Sequence, residues 1–108
     1  MVEYNMYLNG LFGSLADPIR RDILNRLMKA HYTVGQLALN YEVSLAAVAK
    51  HLTVLQKAQL ITKTRRGNEQ VIQIAPEALH DVAVYLAPYE ELWSSRFNKV
   101  DALLKEEK

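Results

Sequence analysis

Five cations, Lys50, Lys57, Lys63, Arg65 and Arg66, stand within seventeen residues of one another, and their company suits a polyanion better than a catalytic step. Around them are groups that touch base edges or phosphates: Ser44, Thr53 and Asn68 can donate or accept, and Ala46 and Ala47 allow close approach. Lysine and arginine supply phosphate contacts and can also reach guanine edges. A reacting centre is not foreseen. No serine–histidine–acid set at suggestive spacing, carboxylate pair or glycine-rich phosphate loop is found in the sequence. His31 falls in an expected loop. His51 lies between exposed Lys50 and buried Leu52, a boundary position that suits a phosphate contact better than catalysis.

Metal and cofactor readings also fall away. The chain has no cysteine, which removes disulfides, thiolate metal sites and thiol redox sensing. Late in the chain only His80, Asp81, Glu90 and Glu91 could ligate, and Pro88 is expected to break their helical register. A single histidine among them makes a transition-metal site a poor expectation. No catalytic residue, no metal and no cofactor are therefore expected.

The elements that must position the cations follow from periodicity. Tyr4, Leu8, Leu11, Phe12 and Leu15 form a helical stripe, weakened by Gly10 and Gly13. Asp17 can cap a second helix with Pro18 in its first turn, burying Ile19, Ile23, Leu24 and Leu27 and leaving Arg20, Arg21, Arg26 and Lys29 outside. Thr33 can cap a short helix carrying Leu37 and Ala38. Ser44 can cap the next, with Val48, Leu52 and Leu55 inward and Leu45, Ala46, Ala47, Ala49, Lys50, Thr53 and Lys57 outward. Only residues 40–43 separate this pair, so they must cross steeply.

After Leu60 the period changes. ITKTRR and EQVIQI are rich in β-branched residues and flank Gly67-Asn68, a tight-hairpin signal. A two-residue turn sets Arg66 opposite Glu69, Lys63 opposite Ile72 and Ile61 opposite Ile74, with the three basic residues clustered near the exposed end. Pro76 opens a further helix with Leu79, Val82, Ala83 and Leu86 inward, and Pro88 is expected to end it before a last helix. The sequence thus predicts a mainly α fold with a small β-hairpin: one winged helix-turn-helix domain over residues 1–108. Its helix-turn-helix spans about 33–58, its wing about 60–75 and its C-terminal helices about 76–106.

Net charge is +1, but residues 1–75 carry +4 and residues 76–108 carry −3, so one surface suits a polyanion and another does not. The N-terminus lacks the basic-then-apolar order of a signal peptide, and no apolar run approaches the ~18 residues of a membrane span. The expectation is a cytoplasmic protein without a membrane partner.

LADPIRRDIL, TVGQLA, the 44–55 stretch with its KHLTVL, PEAL and EELWSSRFNKVDALL, in that order, resemble the ArsR-type (ArsR/SmtB) winged-helix repressors over about residues 8–105. The C-terminal Trp-x-x-x-Phe segment is similar to the branch without metal sites. The resemblance implies dimeric repression of a nearby operon, relieved by a ligand or a stress. The chain departs from the family's common pattern at three places. Ala49 stands where serine is usual, Gln59 where glycine is usual, and Asn68 where the wing often carries arginine. A positive φ at Gln59 is expected to cost of order 1 kcal/mol more than at glycine.

The terminal helices carry more apolar surface than the small central core can cover: Tyr4, Leu8, Leu11 and Phe12 at one end, and Tyr89, Leu92, Trp93, Phe97, Val100 and Leu104 at the other. A two-fold homodimer built on these residues would bury them and set two recognition helices about one DNA turn apart. A small-molecule effector of unidentified chemistry has room between the same helices. The expected function is sequence-specific double-stranded DNA binding as a dimeric repressor. The alternative is a dimeric protein-interaction module on the same fold with weak or no DNA binding, which the alanine-rich outward face favours.

Overall fold

Each of the three short helices in the first half begins on a side chain that satisfies its own free N–H groups. In the computed structural model, which describes residues 2–106 and side chains as far as residue 96, helix α1 is Val2–Leu15, α2 Pro18–Leu27, α3 Val34–Ala38, α4 Leu45–Lys57 and α5 Pro76–Glu106. Asp17 Oδ2 accepts from the Arg20 backbone N–H at 3.0 Å, with Pro18 in the first turn. Thr33 Oγ1 accepts from Gln36 N at 3.1 Å while Gln36 Oε1 accepts from Thr33 N at 2.9 Å, a complete capping box. Ser44 Oγ accepts from Ala47 N at 3.1 Å.

Strands β2 (Ile61–Arg66) and β3 (Glu69–Ile74) pair in the register the two-residue turn requires: Arg66 opposite Glu69, Lys63 opposite Ile72, Ile61 opposite Ile74. Gly67 takes φ 61° in the turn, where glycine carries no penalty. The hairpin is not alone. Strand β1, Tyr32–Thr33, pairs antiparallel with β3 and makes the sheet three-stranded in the order β1-β3-β2. A two-residue strand has no periodicity to reveal it, and Thr33 serves at once as its last residue and as the cap of α3.

The core gathers Leu8 and Leu11 from α1, Ile23, Leu24 and Leu27 from α2, Leu37 from α3, and Val48, Leu52 and Leu55 from α4. Leu60, Ile61 and Ile72 from the sheet region and Ala78 from α5 close it. Ile19, Leu79 and Val82 pack against it only partly buried, and Ala83, expected inward, is exposed. Helix α5 is therefore anchored near its start. It is also one helix and not two, with Pro88 inside it. Proline at that position removes one backbone donor, but its fixed φ is helical, and Val84, one turn earlier, lies in an exposed stretch of the helix. The Cα radius of gyration, 17.6 Å, exceeds the ~13 Å of a compact chain of this length, as a projecting helix requires.

Two arginines expected in solvent are instead drawn into polar networks. Arg26 Nε donates to Asp22 Oδ2 at 2.8 Å, and Tyr41 Oη donates to the same oxygen at 2.6 Å, which pins the turn between α3 and α4 to α2. Burial and the neighbouring Asp22 carboxylate push the Tyr41 hydroxyl up to about 12. The bonds from Tyr41 and Arg26 hold the Asp22 carboxyl below its ordinary value. Arg20 is the second, and its contacts reach the recognition helix.

Helix α4 ends in a Schellman motif: Gln59 N–H donates to Gln56 O at 2.9 Å, and Leu60 N–H to Leu55 O at 3.0 Å, with Leu55 and Leu60 both buried. The motif needs a left-handed residue at position 59, and Gln59 supplies it at φ 63°. Gln59→Gly should therefore raise unfolding stability in urea by up to about 1 kcal/mol, the relief of left-handed strain less glycine's greater unfolded-state entropy. An unchanged or lower midpoint would mean that the strain at position 59 is no larger than glycine's unfolded-state entropy cost.

The lowered carboxyls set an acid limb. Asp17 and Asp22 both titrate below their ordinary value when folded, so their contribution is complete above the unfolded carboxylate value near ~3.9 and is lost as pH falls through the depressed folded values. Melting temperature should drop steeply below about pH 4. Asp17→Asn keeps a capping oxygen and removes the titration, so its melting temperature should fall less over the same range.

Candidate nucleic-acid interface

Helix α4 presents an outward face made of Leu45, Ala46, Ala49, Lys50, Thr53 and Lys57, all exposed, opposite the buried row Val48, Leu52 and Leu55. Ala47 is half-buried on its flank. Ser44 is exposed, with its oxygen committed to the helix cap. Thr53 donates its hydroxyl proton to Ala49 O at 3.0 Å, which leaves the methyl and the remaining oxygen lone pair outward.

His51, expected as a boundary residue suited to a phosphate contact, lies at the edge of this face. It is half-buried and turned toward the start of α2, with Nδ1 3.1 Å from Arg20 Nη1 and 3.8 Å from Asp17 Oδ2. Arg20 itself donates from Nε to Ser14 O at 2.7 Å and from Nη2 to Gly13 O at 3.3 Å. The Arg20 backbone N–H, with His51 and the Arg20 guanidinium nearby, holds the Asp17 carboxyl below its ordinary value. His51 is thus a strut for α4. Sequence reasoning placed Arg20 outside because a helical wheel shows distance from the core and not the carbonyls exposed at a neighbouring helix end.

The wing lies beside α4. Alternation along β2 sends Lys63 and Arg65 to the face that carries Ile61, and Arg66 to the opposite face, so the three cations form two groups and not one cluster. Arg65 Nε donates to Gly67 O at 3.2 Å and steadies the turn, while Arg66 and Asn68 are exposed at the tip. Between the start of α3, the first turns of α4 and the wing tip runs a groove of about 390 Å³ lined by Thr33, Val34, Gly35, Leu45, Ala49, Asn68, Glu69 and Gln70. Glu69 is an acid on this otherwise basic side, and sequence reading considered it only as a pairing partner of Arg66. Among the described residues the ion pair of an arginine or lysine is Arg26–Asp22, and His51 lies 3.8 Å from Asp17, so Lys50, Lys57, half-buried Lys63, Arg65 and Arg66 have no acidic partner there. Also among the described residues, no group of three His, Asp or Glu is placed to hold a metal ion, and no helix is long and apolar enough to cross a membrane.

The terminal helices behave differently from expectation at two positions. Leu8 and Leu11 are consumed by the protomer's own core and cannot form a surface between copies. Tyr4, Phe12, Tyr89, Leu92 and Trp93 do remain exposed, and Tyr85 joins them, its ring 5.6 Å edge-on to Phe12 and 6.0 Å from Tyr89. Phe97, Val100 and Leu104 lie outside the described side chains. Tyr7 Oη donates to Asp81 Oδ2 and fastens α1 to α5, and this bond raises the Tyr7 hydroxyl to about 12.

Comparison with known proteins agrees with this arrangement. The sequence profile described as "Bacterial regulatory protein, arsR family" matches residues 17–63, from the cap of α2 into the wing. Transcriptional repressor SdpR of Bacillus subtilis is 33% identical over 60 residues, 56% of this chain and 67% of its own length. HTH-type transcriptional regulator Rv2034 of Mycobacterium tuberculosis is 41% identical over 66 residues, 61% of this chain and 62% of its own length. The crystal structure of the ArsR family transcriptional regulator RHA00566 superposes with a TM-score of 0.77 at 36% identity, covering 85% of this chain and 95% of that one. A winged helix-turn-helix with an exposed basic face, and relatives that are regulators and not enzymes, lead to one conclusion: the chain belongs to the ArsR family of DNA-binding transcriptional regulators.

Proposed function

We propose that the protein is a homodimeric repressor that sets the start of α4 in the major groove and its wing on the neighbouring backbone and minor groove. The observation that carries this reading is the row Ala46, Ala49, Lys50, Thr53 and Lys57: a slim, outward helix face whose cations have no acidic partner among the described residues. Lys50 and Thr53 stand where base edges would lie. Lys57, Lys63, Arg65, Arg66 and Asn68 contact phosphates or the minor-groove edge. Ser44 and Ala47 shape the entry of the helix, and His51 orients it from within.

The second copy is supported by the exposed Tyr4, Phe12, Tyr85, Tyr89, Leu92 and Trp93, an apolar stripe too large to be left wet on a monomer. Two-fold packing of α1 and α5 would bury it and place two α4 helices about 34–36 Å apart, one turn of the duplex. Repression is the activity in the name of SdpR. A cavity of about 320 Å³ lined by Leu15, Leu24, Met28, Ile74 and Leu79, with Arg21 and Asn25, offers room for a small amphipathic effector where α1, α2, β3 and α5 meet. Such a regulator works in the cytoplasm, on chromosomal DNA.

Two measurements test the reading. Affinity for a preferred duplex should fall steeply with salt, and Arg66→Ala should weaken all duplexes alike while reducing the log–log salt slope by about 0.9 for the phosphate contact removed. A protein that binds no duplex at low salt refutes the repressor reading and leaves an interaction module. In the same buffer the mass should be that of a dimer. Replacing Leu92 and Trp93 together by glutamate should give a helical monomer with much weaker DNA binding.

A further inference from the structure

The start of α4 carries an unusual surface for a helix that reads bases. In its first two turns the side chains that reach outward are Leu45, Ala46, Ala49 and Lys50. Ser44 has committed its oxygen to the cap, and His51 is turned inward onto Arg20. Leu45 is 59% exposed, and nothing in the fold requires a leucine there: the core row of α4 is Val48, Leu52 and Leu55. Leu45 and Ala49, one helical turn apart, line the groove shared with Val34, Gly35 and the wing tip, so they belong to the concave side of the molecule.

We propose that Leu45, flanked by Ala46 and Ala49, is a specificity-determining residue that recognises the C5 methyl group of thymine in each half-site; this rests on the DNA-binding reading above. In the major groove the thymine methyl is the apolar feature, while the guanine, adenine and cytosine edges present donors and acceptors. Pressing a leucine against those polar edges strips them of water without replacing the hydrogen bonds, which is costly. Against a thymine methyl the same leucine loses nothing polar and removes apolar surface from water. The two alanines, too short to hydrogen-bond, let the helix sit deep enough for that contact. Lys50 then supplies the polar element of the read, one turn beyond Ala46. Selectivity thus comes both from an attraction to thymine and from rejection of polar edges at the same place.

The test starts from the duplex that the wild-type protein selects out of a random pool at moderate salt. Each thymine of the half-sites is replaced in turn by deoxyuridine, which deletes the methyl and leaves base pairing, polar edges and backbone unchanged. Affinities are measured for the wild-type protein and for Leu45→Ala, whose side chain is exposed and whose fold is checked by an unaltered helical circular-dichroism spectrum and melting temperature. At one thymine or more in each half-site, deoxyuridine should weaken wild-type binding about fourfold, and about fifteenfold when both half-sites are changed together. In Leu45→Ala the same replacement should change affinity by less than about twofold. If no thymine responds to loss of its methyl, or if Leu45→Ala responds as fully as wild type, the assignment of Leu45 is overturned while DNA binding stands. If no duplex is bound even at low salt, the reading beneath it fails as well.

Discussion

The guanidinium of Arg20 closes a gap that three elements leave open. Helix α1 ends at Leu15, and its last carbonyls have no partner of their own within the helix. Arg20 donates to two of them, at Ser14 and Gly13, and turns its remaining edge to His51 Nδ1. Its backbone N–H meanwhile completes the Asp17 cap that starts α2. A planar group with several fixed donors can serve such divergent acceptors, and a lysine ammonium on its flexible stem cannot hold the same geometry. Without the Arg20 contacts, α4 would be held on this side by apolar packing and the longer His51–Asp17 contact, which fix its depth better than its rotation.

Through this residue the exposed aromatic stripe and the outward face of α4 become one body. The exposed aromatic stripe runs along α1 and α5, which are joined by the Tyr7–Asp81 hydrogen bond and by the edge-on contact of Phe12 with Tyr85. Phe12 is followed directly by Gly13 and Ser14, the carbonyls that Arg20 grips, and His51 stands next to Lys50 on α4. The path from the exposed stripe to α4 is therefore a few side chains long. On the other flank, Tyr41 and Arg26 converge on Asp22 and hold the turn before α4 to α2. Clamped on both sides, α4 has its direction set by α2.

Much of this was readable from residue types. The caps at Asp17, Thr33 and Ser44, the buried row of α4 and the hairpin register are all local: each depends on residues a few positions apart. What escaped is what depends on distant neighbours. Strand β1 exists because β3 lies beside residues 32–33, and no pattern within two residues can announce that. Pro88 reads as a helix end, yet the exposed turn around it tolerates the lost donor. Leu8 and Leu11 look the same as Phe12 in a periodic stripe, and only the packing of α1 on the core separates the buried from the exposed members. Likewise the three wing cations look like one cluster until the strand's alternation divides them.

The sparse polar equipment of α4 bears on why the aromatic stripe matters for DNA. One protomer offers a handful of cations, an acid at Glu69 that opposes them, and, as the proposed base-reading surface, a helix face that is mostly aliphatic. Contacts of that kind give modest affinity singly, because each methyl contact is worth less than ~1 kcal/mol and each phosphate contact weakens as salt rises. Joining two protomers rigidly makes the second half-site encounter intramolecular, so modest contributions act together without new contacts. Rigidity is essential, since a flexible pair would lose that gain to disorder at the interface. In the proposed dimer, the Arg20 contacts, the Tyr7–Asp81 bond and the exposed stripe would act together: weak individual reading made effective by fixed spacing. On that reading the aliphatic face of α4 is tolerable because the second half-site is always held in register.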